Sequence, residues 1–174
     1  MIEMKKAIGI ILVLVLTIGF LGLTSCSSSS NGLKIDQTAP DFKLNNLEGQ
    51  SVSLNSFKGK SVFVNFWSST SSSSVYEMPA FQELYKNWSG RSDIVLLTID
   101  IGEDKTTVKD FIQKNNYTFP VLLDSQYEVS GKYGIQYAPT SILIGKDGKV
   151  KLNTIGGFKD VSAIEKQLAN FLSS

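Results

Sequence analysis

The sequence predicts an α/β domain: a central mixed β-sheet flanked by helices on both faces, opening with an N-terminal β-hairpin. Three observations carry this. Dense apolar runs at 61–67 and 94–100 are separated by segments of helical periodicity, which implies parallel strands joined by right-handed crossovers. Turn signals at Asn46-Leu47-Glu48-Gly49 and Lys146-Asp147-Gly148 mark a hairpin near each end, so antiparallel strands join the sheet. The chain is 42% hydrophobic and 19% charged, ordinary for a domain with a real core.

The elements follow in order. Ala39-Pro40-Asp41-Phe42 opens the domain, and 41–44 with 51–54 alternate apolar and polar residues as a hairpin. Residues 61–67 hold Val62, Phe63, Val64, Phe66 and Trp67, a strand to be covered on both faces. From 75 to 88, Met78, Phe81, Leu84, Tyr85 and Trp88 recur at helical spacing, with Pro79 expected to kink or restart the helix. Residues 94–100 form a second buried strand, and 106–115 a helix with Val108, Phe111 and Ile112 on one side. A short extended piece at 119–123 and a short helix at 126–133 come next. Strands at 141–145 and 149–154 flank Lys146-Asp147-Gly148, and a helix at 160–172 presents Val161, Ile164, Leu168 and Phe171.

Ahead of this domain the chain changes character. Lys5 and Lys6 precede an almost wholly apolar run from Ala7 to Leu23, the n-region and h-region of a secretory signal at 1–25. The only cysteine of the 174 residues, Cys26, follows directly. Leu23-Thr24-Ser25-Cys26 resembles the bacterial lipobox, whose cysteine is acylated and becomes the mature N-terminus. An uncleaved signal anchor and a free structural cysteine are the other readings. Residues 26–36 then read as the lipidated cysteine and a flexible serine-rich tether, and 37–174 as the folded domain.

Composition excludes several function classes. Removing 1–25 takes away Glu3, Lys5 and Lys6 and leaves 15 basic against 15 acidic side chains. That balance offers nucleic acid no electrostatic footing. The chain contains no histidine, which removes the usual general base and the commonest metal ligand. No metal-ligand spacing, phosphate loop or dinucleotide motif occurs, and no cofactor is expected.

The most informative segment runs Val64-Asn65-Phe66-Trp67-Ser68-Ser69-Thr70-Ser71-Ser72-Ser73-Ser74-Val75-Tyr76-Glu77-Met78-Pro79. Taken residue by residue, Ser74-Val75-Tyr76-Glu77 is an S-x-x-E capping box, in which Glu77 reaches back to the helix start. The same stretch resembles the redox loop of the TlpA/ResA-like thioredoxin-fold family of the AhpC/TSA redoxins, roughly F-W-A-T-W-C-P-P-C-x-x-E-M-P. On that frame Ser71 and Ser74 occupy both cysteine positions. The resemblance starts the helix nearer Ser71 and sets Glu77 beside the site as a remnant proton-handling residue; the capping box gives it a helix-start role, the reading favoured here.

The family resemblance extends over about 37–172 and implies the thioredoxin-like fold. It also implies that Pro139, in Tyr137-Ala138-Pro139-Thr140, is cis and faces the redox loop. A peptide-binding groove made by Trp67, Ala138, Pro139 and Thr140 would follow, with Trp67 either on its rim or in the core. A serine cannot enter disulfide exchange. The expectation is therefore a lipid-anchored, extracytoplasmic thioredoxin-like protein of the bacterial envelope that binds an envelope protein or extended peptide without catalysis. Its first partner is the membrane, through acylated Cys26. The alternative is a thiol-disulfide oxidoreductase or peroxiredoxin-like enzyme of the same family, with its cysteines substituted in this sequence.

Overall fold

A computed structural model describes residues 32–172. The expectations for the signal segment and Cys26 fall outside these residues. Among the described residues no helix is long and apolar enough to cross a membrane.

Seven strands form one sheet: β1 (Lys43–Asn46), β2 (Ser51–Ser53), β3 (Ser61–Trp67), β4 (Ile94–Ile101), β5 (Val121–Asp124), β6 (Thr140–Ile144) and β7 (Val150–Ile155). Their order is β2-β1-β5-β4-β3-β6-β7. The inner strands β3, β4 and β5 run parallel, while β1, β2, β6 and β7 pair antiparallel. The helices are α1 (Ser72–Asn87), α2 (Lys105–Lys114), α3 (Glu128–Tyr133) and α4 (Val161–Leu172), with a 3₁₀ turn at Leu54–Phe57. This is the mixed α/β architecture expected, with thioredoxin-like topology.

Period-two alternation in β3 explains why all seven of its residues are buried. Phe63 and Trp67 enter one core layer with Met78, Phe81 and Leu84 of α1, Val108 and Ile112 of α2, and Ile164 and Leu168 of α4. Val62, Val64 and Phe66 face the opposite layer with Phe42 and with Val129 and Tyr133 of α3. Stripping either layer from β3 would expose several fully buried side chains, each worth about 2 kcal/mol of burial.

Three expectations need correction. The folded domain does not wait until residue 37: Leu33 is buried, its N–H donates to the Tyr133 carbonyl and its carbonyl accepts from Asn153 Nδ2. Residues 33–36 are docked on the domain by these bonds and by Asp36 N–H to Val150 O (2.8 Å), so the expected tether is too long. The helix expected from 75 starts three residues earlier, at Ser72. It then continues through Pro79 to Asn87 without a restart, because Met78, Phe81 and Leu84 hold both halves to one core face.

Candidate functional site

The serine run lies at the carboxyl end of β3, where the chain leaves the sheet for α1. Ser71 is the N-cap of α1, in extended backbone conformation, and its Oγ accepts from the Ser74 N–H at 3.3 Å. The same hydroxyl donates to the Ala138 carbonyl at 2.9 Å. One side chain thus closes a free helical N–H and ties α1 to the segment before β6. The Ala138–Pro139 peptide is cis. Pro139 O accepts from Gly156 N–H (2.9 Å), which adds the end of β7 to the cluster.

With Ser71 as the cap, Ser74 falls at the third helical position and Glu77 a turn further in. The S-x-x-E reading, with Glu77 reaching back to the helix start, is overturned: the cap is taken one turn earlier and Glu77 points into the protein. Both Ser74 and Glu77 are fully buried. Glu77 Oε1 accepts from Asn65 Nδ2 at 2.8 Å, and Oε2 accepts from the Phe158 N–H at 3.0 Å. Asn65 Nδ2 also donates to Ser141 Oγ at 3.0 Å. One carboxyl group thus joins α1 to β3 and to the loop before α4, and Asn65 carries the link on to β6. Burial pushes Glu77 up to about 7, against the opposing pull of the Phe158 and Asn65 hydrogen bonds. Ser74 Oγ and Asn65 Oδ1 have no protein partner although buried.

Of the residues expected to form a groove, most lie beneath the surface. Trp67 is completely buried and packs on Phe111, ring centroids 5.3 Å apart, so its place is the core and not the rim. Pro139 and Thr140 are also buried, and Ala138 is half-buried. The exposed large hydrophobic side chains near the site in sequence or register are Tyr76 and Val75 on α1, Tyr137, and Ile155 opposite Thr140 in the β6–β7 ladder.

A second cluster adjoins the serine run, and the sequence reading assigned it no chemistry. Asp100 stands beside Trp67 in the β3–β4 register and is fully buried. Burial raises its pKa to about 9, helped by its hydrogen bond to Glu103 and the repulsion of Glu103 and Asp124. Glu103, in the β4–α2 connection, accepts from the Ser69 N–H and Ser69 Oγ, each at 2.6 Å. Burial would raise Glu103, but the bonds from Asp100 and Ser69 outweigh it and hold Glu103 below its ordinary value. A signal was available: Asp100 is the one acid in a buried, mainly apolar strand, a position that demands pairing or a neutral form.

Residues 35–153 match the AhpC/TSA family. The chain belongs to that family. One similar protein is the thiol-disulfide oxidoreductase ResA of Geobacillus thermodenitrificans, 35% identical over 142 residues, covering 82% of this chain and 81% of the relative. StoA of Bacillus subtilis superposes with a TM-score of 0.65 at 28% identity, covering 74% of this chain and 96% of that one. The pneumococcal exposed lipoprotein thioredoxin of Streptococcus pneumoniae superposes with a TM-score of 0.66 at 28% identity, over 75% and 99% respectively. The chain has no cysteine after Cys26, and the hydroxyls of Ser71 and Ser74 cannot enter disulfide exchange.

Proposed function

We propose that this protein is a lipid-anchored, extracytoplasmic thioredoxin-like domain that has given up thiol chemistry and binds a protein or extended peptide at the site around Ala138. The observation that carries the reading is the fate of Ser71. Its hydroxyl is engaged twice, as helix cap and as donor to Ala138 O, and no histidine exists to activate it. Ser74 is sealed from solvent. Around these two serines the rim keeps exposed Tyr76, Tyr137 and Ile155, apolar surface suited to an extended segment. The lipobox-like Cys26 and the likeness to an exposed lipoprotein thioredoxin support the membrane attachment.

The test is a pair of measurements on the full-length chain. In an insulin-reduction assay the unchanged protein should give no turnover above a blank. In a titration with an unfolded, thiol-blocked protein, backbone signals of Tyr137 and Ala138 should shift, and Tyr137→Ser should weaken binding several-fold. Turnover by the unchanged chain would overturn the reading. Absence of any binding would also count against it.

The second reading, an oxidoreductase whose cysteines are substituted here, is favoured by the activity named for the ResA relatives. It requires codons for cysteine or selenocysteine at positions 71 and 74 of the gene, which sequencing decides. Membrane attachment is checked separately, by metabolic labelling with a fatty acid in the parent and in Cys26→Ala.

A further inference from the structure

The acid pair beside the serine run is held by geometry that neither the family likeness nor the binding reading uses. Asp100 Oδ1 accepts from the Glu103 N–H at 3.3 Å. Asp100 Oδ2 is buried with no hydrogen-bond partner, a setting in which the protonated, uncharged carboxyl is favoured beside Glu103. Glu103 in turn grips Ser69 through its N–H and its hydroxyl, both at 2.6 Å. Ser125 Oγ donates to the Glu103 carbonyl at 2.9 Å and fixes the backbone of the same residue. The loop that Glu103 holds continues into the Ser71 cap, since Ser71 N–H donates to Ser68 O at 3.2 Å.

We propose that Asp100 and Glu103 form a proton-locked latch that clamps the Ser68–Thr70 loop to the β4–α2 connection and releases it when Asp100 loses its proton. The charged groups facing Asp100 are Glu103, from the connection that follows β4, and Asp124, from the end of β5. Asp124 is engaged by the Val129 and Ser130 N–H groups at 3.1 and 2.8 Å. Ionising Asp100 would put a third carboxylate among these two in a water-poor setting, where like charges repel strongly. Asp100 is fixed in the sheet by the β4 ladders, and Asp124 is fixed by its two N–H donors. Glu103 is held only by its backbone, so its half-buried side chain is the member free to swing away, and its grip on Ser69 goes with it. The raised pKa of Asp100 sets release on the alkaline side, so the loop stays clamped through neutral pH.

Carbon-detected NMR on the full-length chain tests this between about pH 6 and about pH 10. The Asp100 carboxyl carbon should titrate with a midpoint near 9, and the Ser69 backbone nitrogen should shift with the same midpoint. In Asp100→Asn, whose amide donates to Glu103 at every pH, the Ser69 signal should stay at its neutral-pH position. In Glu103→Gln it should already lie at its released position at pH 7. A Ser69 signal that does not move in the parent overturns the latch, as does one that titrates alike in Asp100→Asn. Should Asp100→Asn fail to fold, coincidence of the Asp100 and Ser69 midpoints in the parent decides, with the Leu143 nitrogen as a control for global unfolding. The outcome is independent of whether the neighbouring site binds peptide.

Discussion

Burial acts in the same direction on Glu77 and Asp100, and each raised pKa is a statement about stability. A carboxyl whose folded-state pKa lies above its unfolded value keeps its proton longer when folded. Its contribution is fully present below the unfolded pKa and is lost as pH rises through the folded one. For Glu77 that window runs from about 4.5 to about 7, and the loss amounts to about 3 kcal/mol. Urea denaturation of Glu77→Gln should therefore show a stability difference that moves in the variant's favour as pH rises across this window, levelling off above it. A difference independent of pH would remove Glu77 as the titrating group. Ser71→Ala is a separate matter. It deletes the α1 cap and the bond to Ala138, and should cost about 1 to 2 kcal/mol at all pH values, read as a lower urea midpoint with unchanged slope.

At the scale of elements, the site depends on how α1 and the β7–α4 connection approach each other. Gly157 lies in that connection, and a Cβ there would stand 3.0 Å from the Ser73 carbonyl and 3.6 Å from both Glu77 Oε2 and Pro139 Cγ. The nearest obstacle is helix backbone, which cannot swing aside as a flexible side chain would. Gly157→Ala should destabilise the domain by about 1 to 3 kcal/mol, and it should move the Glu77 and Phe158 signals before those of α2. Asp124 performs a comparable task at the start of α3, where Tyr127 offers no side-chain cap. Its two oxygens accept from Val129 and Ser130 N–H groups instead. Asp124→Ala leaves both donors buried and unpaired, so thermal melting should show the domain weakened by about 2 to 4 kcal/mol.

For the whole molecule, the proposed function raises the question of whether this thioredoxin-like frame could use thiols placed at positions 71 and 74. The start of α1 retains its free N–H groups at Ser72 and Ser73, the Ala138 carbonyl lies within reach of the position 71 side chain, and a carboxyl raised to about 7 lies one turn in. A thiol at position 71 would sit at a helix N-terminus, where the macrodipole favours thiolate. The double variant Ser71→Cys/Ser74→Cys should accordingly gain insulin-reducing turnover at least tenfold above the unchanged chain. Failure of the folded double variant to turn over would mean that the frame itself, and not only the sulfurs, has diverged.

Much of the architecture is legible in the sequence. The strand at 61–67, the two hairpins and the late helix announce themselves by apolar period and turn chemistry, because these are local consequences of backbone geometry. The serine run at 71–74 is legible too as the start of a helix, since serine is a preferred N-cap. Where the sequence reading went astray, two local signals competed. Ser71 and Ser74 both make sound caps, and nothing local reveals that Ala138, 67 residues later, supplies the acceptor that holds Ser71. Glu77 followed from that choice: its partners are Asn65 on β3 and Phe158 beyond β7, brought together only by the sheet order. Asp100 and Glu103 stayed silent for the same reason, because burial and the grip on Ser69 arise when β4 is laid beside β3. The sequence by itself determined the family, the fold and the absence of any cysteine after Cys26, all of which are properties of residue type and order. Only the tertiary structure decided which serine caps the helix, which acids are buried and which groups they hold, since desolvation and long-range hydrogen bonds exist only once the layers have packed.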